Sequence, residues 1–360
     1  MNLSIILGTR PEIIKMAPIV RECESGGLDY FILHTGQHYS YNMDKVFFKE
    51  LELPEAKYNL DVGSGSHAEE TGRMLIGIEK ILLRERPGTV LVEGDTNTVL
   101  AGALAASKLH IRVGHVEAGL RSYDRRMPEE INRVLTDHIS DYLFAPTEKA
   151  REILLGEGIS EDKVSVTGNT IVDAVYQNLK IANKKLSVLD KLRLEPKNYF
   201  LVTLHRPENV DDKKRFRRIL ESLDQLGGEF SLPVIYPIHP RSKRRMREFD
   251  LEVDHVRLTP PFDFLSFLQL ESNAKLILTD SGGVQEESCI LGVPCVTLRD
   301  STERPETLEI GSNTLSGADL DDVLESVRLM ADRENSWTNP FGDGKAGKKI
   351  IALLGSLHEI

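Results

Sequence analysis

The sequence predicts an α/β protein with two open parallel sheets. Short apolar runs rich in β-branched and aromatic residues alternate with helical stretches along the whole chain. Most of these runs are continuously apolar, which is typical of strands buried on both faces of a parallel sheet. A chain of 360 residues is too long for one ordinary core and long enough for two α/β domains.

Two sets of apolar runs are predicted to be strands. The first set covers residues 3–7, 30–34, 89–92, 112–115, 142–145 and 164–166. The second set covers residues 199–203, 234–237, 255–258, 275–278 and 295–298. The predicted boundary lies within 167–196, where a predicted helix over 170–186 is followed by a weakly periodic stretch that ends at Pro196, and it gives domains over 1–168 and 169–344. A last helix within 345–360 is expected to pack back on the first domain.

The bulk properties exclude several classes of protein. A formal net charge of −11 argues against a general nucleic-acid binder, and the basic run 243–247 is typical of a solvated helix face. Three cysteines without metal-ligand spacing predict a reducing compartment, no disulfide framework and no metal site. The short apolar N-terminus, followed at once by Arg10, predicts a buried strand and no signal peptide. Because no run is long enough to span a bilayer, we expect a cytoplasmic protein without membrane contact.

A glycine-containing turn in the C-terminal third predicts an anion site. The segment 279–287 reads TDSGGVQEE and follows the apolar run 274–278. A strand that turns through Ser281-Gly282-Gly283 into a helix directs unpaired N–H groups and the positive end of the helix dipole toward one point. Glu286 and Glu287 follow where they can accept ribose hydroxyls, so the segment predicts a nucleotide site. The alternative is an ordinary βα turn whose glycines only relieve crowding.

Ionisable residues recur after the predicted strands. In open α/β sheets, ligands bind outside the carboxyl ends of the strands. These ends carry Thr9-Arg10 with Lys15 a turn later, Gln37-His38, Glu93-Gly94-Asp95, Glu117, His205-Arg206 and His239. The recurrence in both halves of the chain predicts an enzyme with its site in a cleft between two domains.

Several of these residues have structural alternatives. Arg10 and Lys15 either face a phosphate or pair with neighbouring acids. Asp95 is a candidate helix N-cap, a candidate catalytic group, or both. His38 and His239 are also compatible with roles that support other residues of the site.

Three further positions leave alternatives open. Glu129 and Glu130 fall in the first turn of a predicted helix, where the helix dipole explains one acid and leaves the other available to the site. Arg304 is available for a sugar hydroxyl, a phosphate or the neighbouring glutamates. His115 lies within a predicted strand, so we expect a buried structural role for it.

Taken together, these motifs resemble those of the non-hydrolysing UDP-N-acetylglucosamine 2-epimerases nearly end to end. The shared segments are 8–12 with Lys15, 36–38, 93–96, 114–121, 128–133, 166–170, 205–206, 279–287 and 302–306. The resemblance implies two Rossmann-like domains with parallel sheets facing a central cleft, as in GT-B glycosyltransferases and glycogen phosphorylase. It also implies interconversion of UDP-GlcNAc and UDP-ManNAc without a metal or nicotinamide cofactor.

The resemblance further implies roles for individual residues. The catalytic positions would be Asp95, Glu117, Glu129 and His205. The substrate-binding positions would be Arg10, Lys15, Phe267, Ser281, Gly282, Gly283, Glu287 and Arg304. Bacterial members often use a second UDP-GlcNAc as an activator, at a site matched here by Gln37, His38 and His239, although Pro207 stands where those members have a second arginine. A homodimer that supplies UDP-ManNAc for a polysaccharide or glycan is the corresponding expectation.

Other functions fit the same motifs. A hydrolysing relative would use the same elimination and release free ManNAc and UDP. A glycosyltransferase of the same fold would need an acceptor groove. A non-enzymatic nucleotide-sugar sensor would not need the cluster of Asp95, Glu117, Glu129 and His205.

Overall fold

The computed structural model describes residues 2–36, 41–333 and 336–358 and divides the chain into two compact units. Unit 1 comprises Met1–Gln177 and Phe341–Ile360, and unit 2 comprises Asn178–Pro340. The sequence analysis placed the boundary after residue 168, whereas this division falls after Gln177, within a helix over Thr170–Lys185. The first half of that helix stays with unit 1 because its buried side chains pack there.

Unit 1 contains a seven-stranded parallel sheet. Its strands are β1 (Asn2–Leu7), β2 (Asp29–His34), β3 (Tyr58–Asn59), β4 (Thr89–Glu93), β5 (Arg112–Val116), β6 (Tyr142–Ala145) and β7 (Val164–Val166). Their spatial order is β3-β2-β1-β4-β5-β6-β7, and β1 pairs with β4 through Ile5 and Leu91. The order therefore reverses between β1 and β4, as in the doubly wound Rossmann-like folds.

Unit 2 repeats this plan with six parallel strands. They are β8 (Phe200–Thr203), β9 (Val234–Pro237), β10 (Val256–Thr259), β11 (Leu276–Thr279), β12 (Cys295–Thr297) and β13 (Asn313–Leu315). Their order is β10-β9-β8-β11-β12-β13, and β8 pairs with β11 through Val202 and Leu278. The reversal in this sheet lies between β8 and β11.

Helices connect the strands in both units. The first group is α1 (Arg10–Ser25), α2 (Tyr41–Glu50), α3 (His67–Glu85), α4 (Asn97–Lys108), α5 (Pro128–Ile139), α6 (Glu148–Gly156) and α7 (Thr170–Lys185). The second group is α8 (Val188–Leu192), α9 (Pro207–Val210), α10 (Lys213–Phe230), α11 (Pro240–Phe249), α12 (Phe264–Asn273), α13 (Gly282–Leu291), α14 (Pro305–Glu309), α15 (Leu320–Ala331) and α16 (Ala346–His358). None of the helices in the described ranges is both long and apolar enough to cross a membrane.

The predicted α/β class with two parallel sheets is confirmed. Each predicted apolar run overlaps a strand, because these runs supply fully buried side chains such as Ile5, Leu201 and Ile277. The sequence analysis missed the edge strands β3 and β13, which have only two and three residues. Both contain an asparagine, Asn59 or Asn313, so neither stands out as an apolar run. That the two sheets face a common cleft stays a prediction.

The terminal helix α16 belongs to unit 1 and packs on α1. Its first N–H groups are held by Asp173 in α7, which accepts from Ala346 at 3.1 Å and from Gly347 at 3.0 Å. The Asp173 carboxylate thereby satisfies backbone donors that the helix itself leaves unpaired. Unit 1 is thus assembled from two separate stretches of the chain.

Candidate active site

Each sheet carries a polar cluster at the point where its strand order reverses. In unit 1, the neighbouring strands β1 and β4 lead into residues 8–10 and 94–95. In unit 2, β8 and β11 lead into residues 204–206 and 280–281. The crevice outside the carboxyl ends of such strands is the usual ligand position in open α/β sheets, so each unit has its own candidate ligand site.

In unit 1, Lys15 lies between two carboxyl groups. Its Nζ is 2.6 Å from Oε2 of Glu117 and 3.2 Å from Oε1 of Glu93. Asn169 also donates a hydrogen bond to Glu117, at 3.2 Å. Burial raises the pKa of Glu93 well above its ordinary value, although the Lys15 ammonium opposes the shift. A cation shared by two carboxyl groups, one of them buried with a perturbed pKa, is typical of a functional site.

The backbone of Glu117 is held in an uncommon conformation by a buried network. Its φ of 68° is in the left-handed region, which costs a side-chain-bearing residue on the order of 1 kcal/mol. Asp137 accepts from the Gly119 N–H at 3.2 Å and bonds Nδ1 of His115 at 2.6 Å. Burial disfavours the charged form of His115, but the Asp137 carboxylate outweighs it and raises the His115 pKa. His115 is buried, as predicted, and helps to fix the turn that carries Glu117.

Asp95 forms an ion pair with an arginine. Arg133 in α5 donates to its Oδ2 from Nη2 at 2.6 Å and from Nε at 2.9 Å. The helix-cap alternative for Asp95 is wrong, because the side chain of the next residue, Thr96, caps α4 by accepting the N–H of Val99. The catalytic assignment of Asp95 stays a prediction.

The two acids of the first turn of α5 have different surroundings. Glu130 is buried and accepts from the N–H groups of Ser122 and Tyr123 at 2.8 and 2.9 Å. It also accepts from Arg133 at 2.8 Å, so it fixes the loop that precedes the helix. Glu129 is exposed, which leaves it available to a ligand and leaves its predicted catalytic role untested.

Arg10 begins α1 and lies against α2. Its Nε is 3.6 Å from Oδ1 of the buried Asp44, and its guanidinium carbon is 5.7 Å from the ring centre of Phe47. Its side chain remains 40% exposed. The predicted activator residues Gln37 and His38 lie outside the described residues.

In unit 2, the helix α13 begins with Gly282 and Gly283, although neither the local packing nor the backbone conformation requires glycine there. Ser281 is the N-cap, and its side chain accepts the N–H of Val284. A Cβ added to Gly282 or Gly283 would meet no atom closer than 3.9 Å, and neither residue has a left-handed backbone. The crowding alternative therefore fails. Because neither glycine has a side chain, space is left beside the N–H groups of the helix terminus. A phosphate site needs such space.

His205 is fixed beside this helix terminus by Asp280, whose role the sequence analysis did not assign. The buried Asp280 accepts from the backbone N–H groups of His205 and Arg206, each at 3.0 Å, and lies 3.0 Å from the His205 Nδ1. Burial opposes ionisation of Asp280, but His205 and the two N–H groups lower its pKa. The Asp280 carboxylate therefore fixes the position of the His205 imidazole, whose side chain is 46% exposed.

The predicted activator residue His239 lies near His205. Their ring centres are 6.2 Å apart, and the His239 Nδ1 accepts the N–H of Arg241 at the start of α11. Burial, together with the positive groups His205 and Arg241, lowers the pKa of His239. Its supporting role at a helix terminus and a role in ligand binding are both compatible with this position.

Three more predicted ligand contacts lie on α12, α13 and the segment that precedes α14. Arg304 forms an ion pair with Glu286, at 2.6 Å from Nε to Oε1, which is one of its sequence-based alternatives. Glu287 is partly exposed, and burial of most of its carboxyl group raises its pKa to about 7. Phe267 is half-buried against the unit 2 core. Among the residues that the structure describes, no group of three His, Cys, Asp or Glu side chains could hold a metal ion.

The two Rossmann-like units and their charged strand ends define an enzyme built on a doubly wound α/β scaffold. The model of the family described as UDP-N-acetylglucosamine 2-epimerase matches residues 21–355. The UDP-N-acetylglucosamine 2-epimerase of Methanocaldococcus jannaschii is 58% identical over 98% of this chain and 99% of its own length. The chain belongs to the non-hydrolysing UDP-N-acetylglucosamine 2-epimerase family, so the resemblance recognised from the motifs is confirmed.

Two further relatives bear on the ligand. A solved structure of the Methanocaldococcus jannaschii UDP-GlcNAc 2-epimerase in complex with UDP-GlcNAc and UDP has a TM-score of 0.85 at 58% identity, covering 99% of this chain and 100% of that one. The UDP-2,3-diacetamido-2,3-dideoxy-D-glucuronate 2-epimerase of Pseudomonas aeruginosa is 40% identical over 99% of this chain and 100% of its own length. Both relatives are named for 2-epimerisation, and they differ in the sugar.

Proposed function

We propose that this enzyme interconverts UDP-GlcNAc and UDP-ManNAc by inverting C2 of the sugar. The observation that carries the proposal is the helix terminus of α13, where a Cβ added to Gly282 or Gly283 would meet no described atom closer than 3.9 Å. A diphosphate fits this terminus by charge and by hydrogen bonding. The complex of UDP-GlcNAc and UDP with the 58% identical relative supports the same ligand here.

The chemistry requires the diphosphate to leave and return. The hydrogen on C2 is not adjacent to a carbonyl, so an ordinary side chain cannot remove it directly. When the C1–O bond breaks, UDP departs with the electron pair while a base takes the C2 proton, and a 2-acetamidoglucal remains. A proton is then added to C2 from the opposite face, and a UDP oxygen re-forms the bond to C1. Elimination and re-addition move a proton and a leaving group but no hydride, so this route uses no redox cofactor.

The leaving-group role falls to the cationic side chains and the helix terminus. Arg10 has a side chain that is 40% exposed, and His205 carries an imidazole that lies 3.0 Å from Asp280. Ser281 organises the first turn of α13 as its N-cap. Donors that are fixed in advance stabilise a developing anion without reorganisation at the moment of reaction.

The acid–base role falls to the carboxyl groups of unit 1. Glu117, Asp95 and Glu129 are the three candidates, and the first two are held by Lys15 and Arg133 at 2.6 Å. Two groups must serve the two faces of C2, one taking a proton while the other gives one. A central cleft that brings these groups to the nucleotide in unit 2 is part of this proposal.

Incubation with UDP-GlcNAc in deuterated water, followed by NMR, tests the reaction. UDP-ManNAc with deuterium at C2 is the expected product. Free ManNAc with UDP would instead support the hydrolysing alternative, and an unchanged sugar nucleotide without deuterium would overturn both. The 2,3-diacetamido glucuronate nucleotide, run in parallel, tests whether the sugar preference follows the relative that is 40% identical.

The proposal extends to assembly and regulation. We expect a homodimer, a cytoplasmic location consistent with three unpaired cysteines, and delivery of UDP-ManNAc to polysaccharide or glycan synthesis. We also expect a second UDP-GlcNAc to activate the enzyme through Gln37, His38 and His239. Sigmoidal dependence of the rate on UDP-GlcNAc that becomes hyperbolic in a His239→Ala variant would support the activator. A hyperbolic wild-type curve would contradict it.

A further inference from the structure

Glu271 is a fully buried carboxyl group with an unusual lack of donors. It lies on α12, has 0% exposure, and neither Oε atom accepts a hydrogen bond from an N–H or O–H group within the described part of the chain. Its hydrogen-bond neighbour is the carboxyl group of Glu287 on α13, which packs against α12. Two carboxyl groups can form a hydrogen bond only when at least one of them holds a proton, since ionised carboxylates are acceptors only.

The surroundings offer no cation to replace that proton. The groups facing the pair are Glu286 of α13, already paired with Arg304, the Tyr199 hydroxyl, which donates to the Leu270 carbonyl, and the Cys295 thiol of β12. Lys197 donates to the carbonyls of Ser272 and Ala274 at the end of α12. No lysine or arginine in the described ranges forms an ion pair with Glu271 or Glu287. An isolated buried negative charge is strongly unfavourable, so the pair keeps a proton.

The two carboxyl groups differ in exposure, which decides where the proton lies. Glu271 is enclosed, whereas Glu287 is partly exposed. Burial and the neighbouring Glu287 raise the pKa of Glu271 well above its ordinary value, and burial raises that of Glu287 to about 7. Glu271 therefore keeps the proton at neutral pH and donates it, in a hydrogen bond, to an ionised Glu287.

We propose that Glu271 is a positioning residue for nucleotide binding, which orients Glu287 and keeps it ionised so that it accepts the vicinal hydroxyls of the ribose. The inference rests on the proposed function, because it takes Glu287 as the ribose acceptor of UDP. It adds a residue with no ligand contact of its own. It also makes recognition of the ribose depend on a proton held inside the protein.

The proposal predicts a specific pH dependence. Below about pH 7, Glu287 takes up a proton and becomes a poorer acceptor, so the contribution of the ribose to affinity falls. The donor on Glu271 lowers the Glu287 pKa, so removing that donor moves the loss to higher pH. A hydrogen bond to a charged group is strong enough for a shift of about one pH unit, which would lower the ionised fraction of Glu287 at pH 7 about fivefold.

Calorimetric titration with UDP and with 2′,3′-dideoxy-UDP between pH 5.5 and 8.5 tests the proposal. The ratio of the two dissociation constants isolates the ribose hydroxyls, because titration of the diphosphate is common to both ligands. In the wild type, the ratio should fall toward one below about pH 7, because the ribose hydroxyls then contribute less to affinity. In Glu271→Met, which lacks a donor, the ratio should fall toward one about one pH unit higher. Glu271→Gln, which keeps an N–H donor, should retain the wild-type ratio at pH 7.

The outcomes separate this inference from the function on which it rests. A wild type that binds neither ligand would defeat the proposed nucleotide site. Equal binding of UDP and dideoxy-UDP by the wild type would defeat the role of Glu287 and, with it, the inference. A clear wild-type ratio with the same pH profile in Glu271→Met would overturn the inference alone, since Glu271 would then be merely structural.

A spectroscopic measurement covers the case in which Glu271→Met does not fold. Infrared difference spectra of wild type minus Glu271→Gln at neutral pH should show one protonated carboxyl band that the variant lacks. Absence of that band would mean that the pair holds no proton on Glu271, and the proposal would be wrong.

Discussion

The carboxyl edges of the two sheets have the same topology and different chemistry. In unit 1, the edge is rich in carboxyl groups that pair with a single cation, as Glu93 and Glu117 do with Lys15. In unit 2, the edge presents a capped helix terminus with open glycines and a histidine fixed by Asp280. Strand order determines where each cluster lies, whereas the side chains determine what it can do.

This difference predicts different roles for the two units in the reaction. Carboxyl groups suit proton transfer, and a helix terminus beside an imidazole suits an anion. A variant in unit 1 should therefore affect turnover, and a variant in unit 2 should affect nucleotide affinity. The following predictions test that separation, beginning with the largest expected effect.

Glu117→Gln should lower kcat by about 10²–10⁴-fold, because it removes a proton acceptor while preserving the shape of the side chain. Binding of UDP, measured by calorimetry, should stay within about twofold of the wild type, since the groups proposed to hold UDP, Arg10 and the terminus of α13, are unchanged. Glu79→Gln, on the exposed face of α3, is the matched control and should change neither quantity. Full activity in Glu117→Gln would remove this residue from the mechanism.

Asp280→Asn should destabilise the protein by about 2–3 kcal/mol, because the buried charge that accepts three N–H groups is lost. Urea unfolding at pH 7 measures the effect, and the exposed Asp300→Asn serves as control. The folded-state pKa of Asp280 is lowered, so its stabilisation is present above the ordinary pKa of aspartate and disappears as the pH falls. The difference from wild type should therefore shrink on acidification, and a constant difference would contradict this account.

Gly283→Ala should weaken UDP binding by about 10- to 100-fold, because the added methyl group occupies space that the phosphate needs. Its folding stability should be unchanged or raised by about 0.5–1 kcal/mol, since alanine is the better helix former and meets no close atom. Gly228→Ala in α10 is the control, because a methyl group there also meets nothing within 4 Å. Unaltered UDP affinity in Gly283→Ala would separate the helix terminus from the ligand.

Glu12→Gln should change how the stability of the protein depends on pH. Burial raises the pKa of Glu12 to about 7, against hydrogen bonds from Thr96, Gly8 and Thr9 that oppose the shift. Folded Glu12 keeps a proton that the unfolded chain loses above about pH 4.5, so wild-type stability declines between pH 4.5 and 7.

The variant lacks this decline and should be more stable than wild type by about 1–3 kcal/mol above pH 7. Thermal melts from pH 4.5 to 8 measure it, with Glu22→Gln on the same helix as the control. Parallel curves for wild type and Glu12→Gln would show that Glu12 does not carry the pH dependence.

Apolar runs were sufficient to predict the interior strands, because a strand covered by helices on both faces must be apolar. They failed for β3 and β13, which lie at the edges and contain only two and three residues. The strand-to-helix turn at residues 281–283 was predictable because these residues are contiguous, whereas its role in phosphate binding stays a prediction. The roles of Asp280 and Glu271 were not predictable, because each depends on a partner elsewhere in the chain. For Asp95, the cap assignment failed by one residue, since Thr96 caps the helix.

The anchoring of α16 by α7 affects the order in which the two units can fold during synthesis. Unit 1 contains residues on both sides of unit 2, and its α16 is anchored by Asp173. A ribosome therefore releases all of Asn178–Pro340 before it supplies the helix that covers α1. Until then, part of the apolar surface of unit 1 stays uncovered. Unit 2 is one continuous stretch of the chain, so it can complete its fold before unit 1 does.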